Sequence, residues 1–463
     1  MNGSGNKNRY TWLAACALWI VAWQAASLLV GSDILLAGPL DTCAHLVTIL
    51  TSGKFFPALW FSFSRIAGGF LAAFVLGVAL GFAAHGMRWL RELLAPLVLS
   101  FKSVPVACIV VLLLIWVGSR EVSGLAVLLM AFPALYLSTV EGLGQVDPKV
   151  DEMLTVFGVG EVRRFLAHTW PSVLPYLVAM GKNACGMAWK AGVAAELIGS
   201  PLGSMGERIY QAKILLETAD LFAWTVIVVV ASFAFERAFI WCLQATGPLA
   251  LRLAASFSKR RGQEEPCAAS ELVFEHAVLG YEGVAVLTDV DLALEPGERA
   301  VLADASGGGK TTLLHTLARL LPVQAGTMRT AQRISMVFQE TRLIEDLDAV
   351  SNVMLVGAGG RSVDEVGVLL AEVLPQEALG KPVRELSGGQ RRRVEIVRAL
   401  AHPSSAVLLD EPFASLDKDA HEVSAAFVLR HLEGRTLLVA SHAPEDVDLL
   451  DSTRVSRKGI LPS

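Results

Sequence analysis

The chain has 463 residues, of which 53% are hydrophobic and only 18% charged, and its mean hydropathy is +0.52. This composition is too apolar for a soluble protein of that length and indicates a membrane protein. The formal net charge of −5, with no basic stripe beyond the short run Lys259-Arg260-Arg261, argues against nucleic acid as a partner.

Six apolar segments in the first half are long enough, or nearly so, to cross a bilayer: residues 10–31, 58–84, 93–118, 122–142, 172–199 and 220–246. Positive charges precede the first segment and follow the second and the fourth: Lys7 and Arg9, Arg88 and Arg91, and Lys149, Arg163 and Arg164. Because positive loops stay in the cytosol, the N-terminus is predicted to be cytosolic. An even number of spans then returns the chain to the cytosol.

A change of composition marks the end of the membrane half. Residues 251–270 are polar and turn-prone, which suits a tether between domains. We therefore predict a permease domain at 1–250, a linker at 251–270 and a second domain at 271–463. In the second domain short β-rich runs, such as 406–409, alternate with helical patterns, such as 310–321, and this rhythm predicts an α/β nucleotide-binding fold.

The run Ser306-Gly307-Gly308-Gly309-Lys310-Thr311-Thr312 follows an apolar strand and opens a helix, the context of a phosphate-binding loop. Glycines let backbone N–H groups face phosphate oxygens, Lys310 can reach the β and γ phosphates, and the Thr311 hydroxyl can coordinate Mg²⁺. ATP and Mg²⁺ are the predicted cofactors. Asp304 replaces the first glycine of the usual pattern, which leaves a slow ATPase open as an alternative.

The run Leu386-Ser387-Gly388-Gly389-Gln390 is followed, about twenty residues on, by a hydrophobic strand that ends in Asp410-Glu411-Pro412. With these motifs in this order, residues 271–445 resemble the ABC-type ATPases. The resemblance implies the following roles: adenine stacking for Tyr281; contact with Mg²⁺ or the attacking water for Gln339; Mg²⁺ association for Asp410; general base for Glu411; communication across a dimer for Ser415-Leu416-Asp417; and γ-phosphate contact for His442.

In this family the signature segment of one subunit closes on the ATP held by another, so Ser387, Gly388, Gly389 and Gln390 are expected to act on a second subunit's nucleotide. The simplest functional unit that the resemblance implies is a homodimer of the whole chain. A heterodimer with a related chain remains the alternative.

The loop between the fourth and fifth predicted spans contains Glu152-Met153-Leu154, Gly158 and Pro171. Its spacing is similar to the E-A-A…G…P loop of type I ABC importers, with Met-Leu in place of Ala-Ala. In those proteins the loop forms a short coupling helix that docks on the ATPase near the glutamine loop. The segment Ser64 to Phe70 and the runs Ala188-Trp189 and Ala195-Glu196 also look like permeases of the nitrate, sulfonate and taurine import family.

These resemblances imply a multidomain fold: an all-α membrane domain of six transmembrane helices, type I importer-like, followed by an α/β P-loop ATPase domain. They also imply an inner-membrane location, a small and anionic substrate, and a separate extracytoplasmic solute-binding protein as a partner. We expect a fused permease and ATPase that hydrolyses ATP to drive import. The alternatives are an exporter and a membrane-tethered regulatory ATPase that transports nothing.

Ionisable side chains inside predicted spans are costly and are therefore candidates for the solute pathway: Arg65, Lys102, Lys182, Lys190 and Glu196. Lys182 and Lys190 are eight residues apart on one predicted helix and could present positive charge to an anion. The alternatives are that Lys102 or Lys182 extends to the membrane surface and that Lys190 pairs with Glu196 or with a carbonyl group. The four-residue spacing of Gly77 and Gly81 predicts close packing of helices.

Overall fold

The computed structural model describes residues 4–259, 267–281, 283–302, 308–456 and 459–460. The chain divides into two compact units, one of Met1–Gln145 with Ser172–Thr246 and one of Val146–Pro171 with Gly247–Ser463. The segment 146–171 thus belongs to the unit that carries the ATPase motifs, whereas the sequence assigned it to the permease domain. Residues 251–259, expected to be part of a linker, continue the last long helix instead.

The first part of the chain is helical throughout. Its helices are α1 (Ser4–Val30), α2 (Pro39–Thr51), α3 (Phe55–Gly86), α4 (Arg88–Ser103), α5 (Val106–Val117), α6 (Val122–Gly144), α7 (Pro148–Val156), α8 (Glu161–Arg164), α9 (Trp170–Gly199), α10 (Met205–Leu215) and α11 (Thr218–Lys259). A π-helical turn, Phe165–Thr169, joins α8 to α9.

Each predicted span coincides with helix, but the spans differ in character. Within the described residues, α3, α6 and Thr218–Ala254 of α11 are long and apolar enough to cross a membrane, and α4 with α5 forms a pair bent by 106°. The apolar part of α1 is the shorter stretch Ala14–Val30. The predicted span 93–118 is broken into two helices, because Pro105 lacks an N–H group and holds Val104 extended, which ends α4.

Glycines bring α3 and α6 into backbone contact. A Cβ added to Gly69 would lie 2.2 Å from the carbonyl oxygen of Gly124, and one added to Gly81 would lie 2.6 Å from Thr139. Gly77 is similarly close to Leu135. The close packing predicted from the glycine spacing is confirmed, since no larger residue fits these positions without moving a helix.

The second unit contains two sheets. The strands are β1 (Leu272–Tyr281), β2 (Val284–Leu294), β3 (Arg299–Leu302), β4 (Val323–Arg329), β5 (Ile334–Val337), β6 (Ala406–Asp410), β7 (Thr436–Ala440), β8 (Thr453–Ser456) and β9 (Gly459–Ile460). One sheet has the order β2-β1-β4 and is antiparallel, and the other has the order β5-β6-β7-β3-β8-β9, with all but β9 parallel.

Helices connect these strands: α12 (Lys310–Leu317), α13 (Ala349–Leu355), α14 (Val363–Ala371), α15 (Gln376–Leu379), α16 (Gly388–Ala401), α17 (Lys418–His431) and α18 (Glu445–Leu449). Every residue of β5, β6 and β7 is buried, as expected for parallel strands covered on both faces. The predicted α/β fold is confirmed. Because β3, β6 and β7 are parallel neighbours, their carboxyl ends share one edge of the sheet, where ligands bind in such folds.

Candidate functional site

Three predicted site residues meet at the shared carboxyl edge of β3, β6 and β7. The Lys310 ammonium nitrogen lies 3.1 Å from Nδ1 of His442, and Nε2 of His442 lies 3.0 Å from Oε1 of Glu411. Lys310 opens α12 after β3, Glu411 follows β6, and His442 follows β7. Residues separated by up to 132 positions in sequence therefore form one cluster at the start of α12.

Gly309 sets the direction of the chain into α12. Its φ of +79° lies in the left-handed region, and a Cβ there would lie 2.7 Å from Leu287 of β2. Gly308 and Thr311 flank this turn, while Thr312 is buried in α12. Ser306, Gly307 and Asp304 lie outside the described residues, so their predicted roles stay predictions.

Asp410 ends β6 and is 1% exposed. Burial raises the pKa of its carboxyl group, and the hydrogen bond that Thr311 donates acts in the opposite direction. Its Oδ2 is buried without a hydrogen-bond partner among the described residues. A carboxylate oxygen with unused capacity beside a threonine hydroxyl is a ligand set that suits Mg²⁺, so the two residues fit the metal predicted from the sequence.

Glu411 has a φ of 49°, a conformation that costs energy for a residue other than glycine. The backbone of β7 holds this conformation, because the Glu411 N–H group donates to the Ala440 carbonyl at 2.9 Å. The side chain is 14% exposed, and its Oε1 makes no hydrogen bond with the described residues although His442 is within ion-pair distance. A positioned carboxylate with a free oxygen is what a general base requires.

The signature segment forms the N-terminus of α16. The Ser387 hydroxyl accepts a hydrogen bond from the Gln390 N–H group, and the Gln390 side chain accepts one from the Ser387 N–H group, which is a complete capping box. A Cβ on Gly388 would meet open space, and one on Gly389 would lie 3.2 Å from the Ser415 carbonyl oxygen. The segment is therefore an accessible helix N-terminus, a favourable place for a phosphate, next to the loop 415–417.

Two predicted residues lie at the edges of this arrangement. Gln339 follows β5 with an exposed side chain, next to the strand that ends in Asp410. Tyr281 ends β1, is 44% exposed and pairs with Val284 across the turn to β2. The predicted roles of Gln339 at Mg²⁺ and of Tyr281 at adenine stay predictions.

A buried charge network that the sequence reading missed ties α16 to the segment around Gln339. Arg392 donates to the carbonyl groups of Phe338 and Gln339, and Glu395 accepts from the Arg342 N–H group at 2.6 Å. Arg398 donates to the Arg342 carbonyl at 2.6 Å. Burial raises the pKa of Glu395 and lowers that of Arg398 to about 10. The sequence offered one indication of this network, which is the three-residue spacing of Arg392, Glu395 and Arg398 on one helix.

The loop 146–171 docks on the same segment. A carboxylate oxygen of Glu152, in α7, lies 2.7 Å from Arg342, and Lys149 pairs with Glu340. Arg342 also stacks on Phe338, with its guanidinium carbon 3.8 Å from the ring centroid. The predicted docking of a short coupling helix near the glutamine loop is confirmed, because Glu340 and Arg342 follow Gln339 directly.

Further contacts extend this docking along the loop. Arg163 donates to the Leu355 carbonyl at 3.0 Å, and the Phe157 ring lies 5.1 Å from the ring of His402 in an edge-to-face arrangement. The guanidinium carbon of Arg398, a member of the buried charge network, lies 5.3 Å from the centroid of the Phe157 ring. One buried arginine thus contacts both the glutamine-loop segment and the coupling loop.

A group of residues that the sequence analysis also did not identify holds the turn carrying His442. Asp446 is 1% exposed and accepts hydrogen bonds from the Ser441 hydroxyl and, at 2.6 Å, from Nε2 of His421. His421 stacks on Phe413, which follows Glu411 in sequence, with 4.6 Å between ring centroids. The turn that carries His442 is therefore held from α17, the helix that begins after the loop 415–417.

Comparison with known proteins identifies the family. The family model for "ABC transporter" matches residues 287–414, and that for "binding-protein-dependent transport system inner membrane component" matches residues 73–239. An aliphatic sulfonates import ATP-binding protein from Frankia alni is 40% identical over 181 residues, which are 38% of this chain and 73% of that protein. The chain belongs to the ABC transporters. It carries a permease and an ATPase in one polypeptide and resembles the importers of the nitrate, sulfonate and taurine type.

Other similar proteins differ in their named direction of transport. A macrolide export ATP-binding/permease protein from Bradyrhizobium diazoefficiens is 32% identical over 222 residues, 43% of this chain but only 34% of that protein. This chain therefore spans about a third of the macrolide export protein. A solved dimeric bacterial ABC transporter cassette is 22% identical with a TM-score of 0.37, covering 42% of this chain and 97% of that one. The ATPase domain implies nucleotide binding and ATP hydrolysis coupled to transport.

Proposed function

We propose that the chain is half of an ATP-driven importer that moves a small organic or inorganic anion across the inner membrane toward the cytosol. The observation that carries this proposal is the docking of the loop 146–171 on the segment after Gln339, in a chain whose membrane half matches binding-protein-dependent permeases. That loop leads directly into α9, so a movement of the ATPase segment is transmitted along the chain to a membrane helix.

In this proposal each of the clustered residues has its own role in ATP binding or hydrolysis. Lys310 would supply positive charge and His442 a hydrogen bond to the γ phosphate, and Glu411 would take the proton of the water that attacks it. Thr311, Asp410 and Gln339 would hold Mg²⁺, which neutralises phosphate charge. The Glu411–His442 contact keeps the base beside the residue that touches the transferred phosphate.

Two copies of the chain are needed in this proposal. The capped N-terminus of α16 is accessible, and an accessible helix N-terminus binds phosphate when another subunit presents it. Closure of two copies would sandwich each ATP between Lys310 of one and Ser387 of the other. The contact of Gly389 with the loop 415–417 supports communication between the two sites. A heterodimer with a related chain remains the alternative.

The relatives and the permease match support a proposal for the solute class. The Frankia alni relative is named for aliphatic sulfonate import, and the permease model is named for binding-protein-dependent systems. We therefore propose a sulfonate, nitrate or taurine-like anion as the solute and a separate extracytoplasmic solute-binding protein as the partner. We also propose that the N-terminus and the ATPase domain are cytosolic, which the positive charges of the predicted cytosolic loops support.

Substitution of the proposed base tests the motor. Glu411→Gln should lower ATP turnover of the purified chain by at least about a hundredfold, the range typical of a lost general base. ATP-bound dimers should persist in gel filtration because binding is untouched. Glu422→Gln, a change at an exposed residue of α17, is the control and should hydrolyse normally. Normal turnover by Glu411→Gln would remove that residue from the role of base.

Two other functions remain candidates. An exporter is favoured by the similarity to the macrolide export protein over 43% of this chain. A membrane-tethered regulatory ATPase is favoured by Asp304, which puts an acid where the family pattern has glycine. Solute movement in vesicles separates them: outward movement indicates an exporter, and hydrolysis with no movement indicates a regulatory ATPase.

A further inference from the structure

A cavity in the first unit gathers three lysines that lie far apart in the sequence. It has a volume of about 720 Å³ and lies between α4, α6 and α9, with Lys102 from α4 and Lys182 and Lys190 from α9 in its wall. We name it the lysine cavity. Its volume is within the range of about 300–1,000 Å³ that is typical of small-molecule sites.

The three ammonium groups have no acidic partner within this cavity. Among the described residues, none that lines the cavity is acidic, and Lys102, Lys182 and Lys190 form neither an ion pair nor a hydrogen bond. Lysines within the helices of a membrane domain commonly mark a solute or ion pathway, and all three of these side chains are exposed. Three of them on one wall therefore favour a guest that carries negative charge.

The structure contradicts the alternative in which Lys190 pairs with Glu196. Glu196, the acid proposed from the sequence as its partner, is fully buried, accepts a hydrogen bond from the Ser62 hydroxyl at 2.6 Å and lies 3.3 Å from the Gly206 N–H group. Its carboxylate is thus bound to α3 and α10. Lys182 has a second environment, because it also lines an opening that contains Glu236 and Arg237. Lys102 and Lys190 therefore carry the argument.

The rest of the wall is apolar. Phe101, Met130, Leu137 and Met187 line the cavity, and Met side chains adapt to irregular hydrocarbon shapes. A guest that satisfies both features has a charged head for the lysines and a short hydrocarbon body for the aromatic and sulfur-containing wall. An inorganic ion would leave most of that apolar surface in contact with water.

We propose that the lysine cavity is a solute-binding site within the membrane unit, which takes a small alkyl oxoanion with its head on Lys102 and Lys190 and its hydrocarbon chain against the apolar wall. This inference rests on the proposed function, since it names the class of solute that the importer would carry. It also assigns a binding site to the permease that is separate from any site on a solute-binding protein.

Binding to the full chain in detergent, without nucleotide, tests the proposal. The probe is butanesulfonate, measured by isothermal titration, with butanesulfonamide as an uncharged probe of nearly the same shape. Butanesulfonate should bind saturably and the sulfonamide should not. Lys102→Gln and Lys190→Gln should each raise Kd by about tenfold, because each removes one charge-assisted contact. Lys190→Arg should retain most of the binding.

Lys213→Gln is the matched control. Lys213 is in the same unit, on α10, and lies over the Tyr210 ring rather than in the cavity. It should bind butanesulfonate like the parent chain. Basal ATP hydrolysis is measured on every variant to show that the chain is folded.

The outcomes separate this inference from the proposed function. Absence of saturable binding in the parent chain, equal binding of the sulfonamide, or unchanged Kd in both lysine variants would each overturn the inference. Vesicles that move butanesulfonate outward with the same lysine dependence would support the lysine cavity and refute import. Uptake that is unaffected by both lysine substitutions would support import and refute the cavity.

Discussion

The ion pair between Glu152 and Arg342 offers a sharp test of how the ATPase drives the permease. Its two atoms are 2.7 Å apart, the Arg342 side chain is 9% exposed, and the Glu152 side chain is 46% exposed. We expect Glu152→Arg and Arg342→Glu to uncouple hydrolysis from transport when each is made alone. The combined exchange, which restores opposite charges, should recover part of the coupling.

The size of the effect follows from the contacts that survive. A charge-assisted hydrogen bond contributes about 1.5–3 kcal/mol, and the half-exposed position of Glu152 reduces this to about 1 kcal/mol. Arg342 keeps its stacking on Phe338 and its contact with the Lys149 carbonyl when Glu152 is changed. A loss of about 1 kcal/mol corresponds to about a fivefold fall in coupling.

The assay is the number of solute molecules moved per ATP hydrolysed in proteoliposomes, measured with basal ATP hydrolysis for each variant. Asp151→Asn is the matched control, because Asp151 is adjacent to Glu152 but pairs with Arg164 of its own loop. Glu152→Arg should lower the ratio at least about fivefold, and Arg342→Glu should lower it further because it also removes the stacking on Phe338, while basal hydrolysis persists. An equal loss in the Asp151 control, or no recovery in the double exchange, would refute the reasoning.

Three further changes test packing and the ATP site. Gly69→Ala should lower the thermal unfolding temperature in detergent, since its Cβ would lie 2.2 Å from a carbonyl oxygen of α6, whereas Gly68→Ala meets open space and should not. Gly309→Ala should weaken ATP binding by at least about tenfold in nucleotide titrations, because φ is +79° there. Asp446→Asn should lower kcat with unchanged ATP affinity if this carboxylate positions the turn that carries His442. Equal ATP affinities for Gly309→Ala and the parent, or an unchanged kcat for Asp446→Asn, would contradict these two expectations.

Much of the ATP site was predictable because its chemistry depends on short motifs whose residues follow strands. Asp410 ends β6, Glu411 follows it, His442 follows β7, and Lys310 opens the helix after β3, while parallel strands place their carboxyl ends together. Their assembly into one cluster therefore follows from order and periodicity. Tyr281 ends a strand of the separate antiparallel sheet, so the same argument does not apply to its role.

The features that the sequence reading missed depend on long-range contacts or on local breaks in a uniform pattern. The segment 93–118 is apolar enough to be taken as one span despite Lys102, Ser103 and Pro105, and hydropathy does not report the 106° bend between its two helices. The assignment of the loop 146–171 to the ATPase unit depends on partners such as Arg342, nearly two hundred residues away. The Glu395 network was missed for a different reason: a run of charges on a helix usually indicates a solvated face.

Direction of transport is the central claim, and it can be measured in vesicles. The full chain is placed in sealed proteoliposomes with ATP inside, so that only ATPase domains facing the lumen are active, and a periplasmic extract of the source organism supplies the solute-binding protein. Radiolabelled butanesulfonate added outside should accumulate in the lumen, and Glu411→Gln should abolish the accumulation. ATP hydrolysis without accumulation, or export of solute from the lumen, would contradict the account.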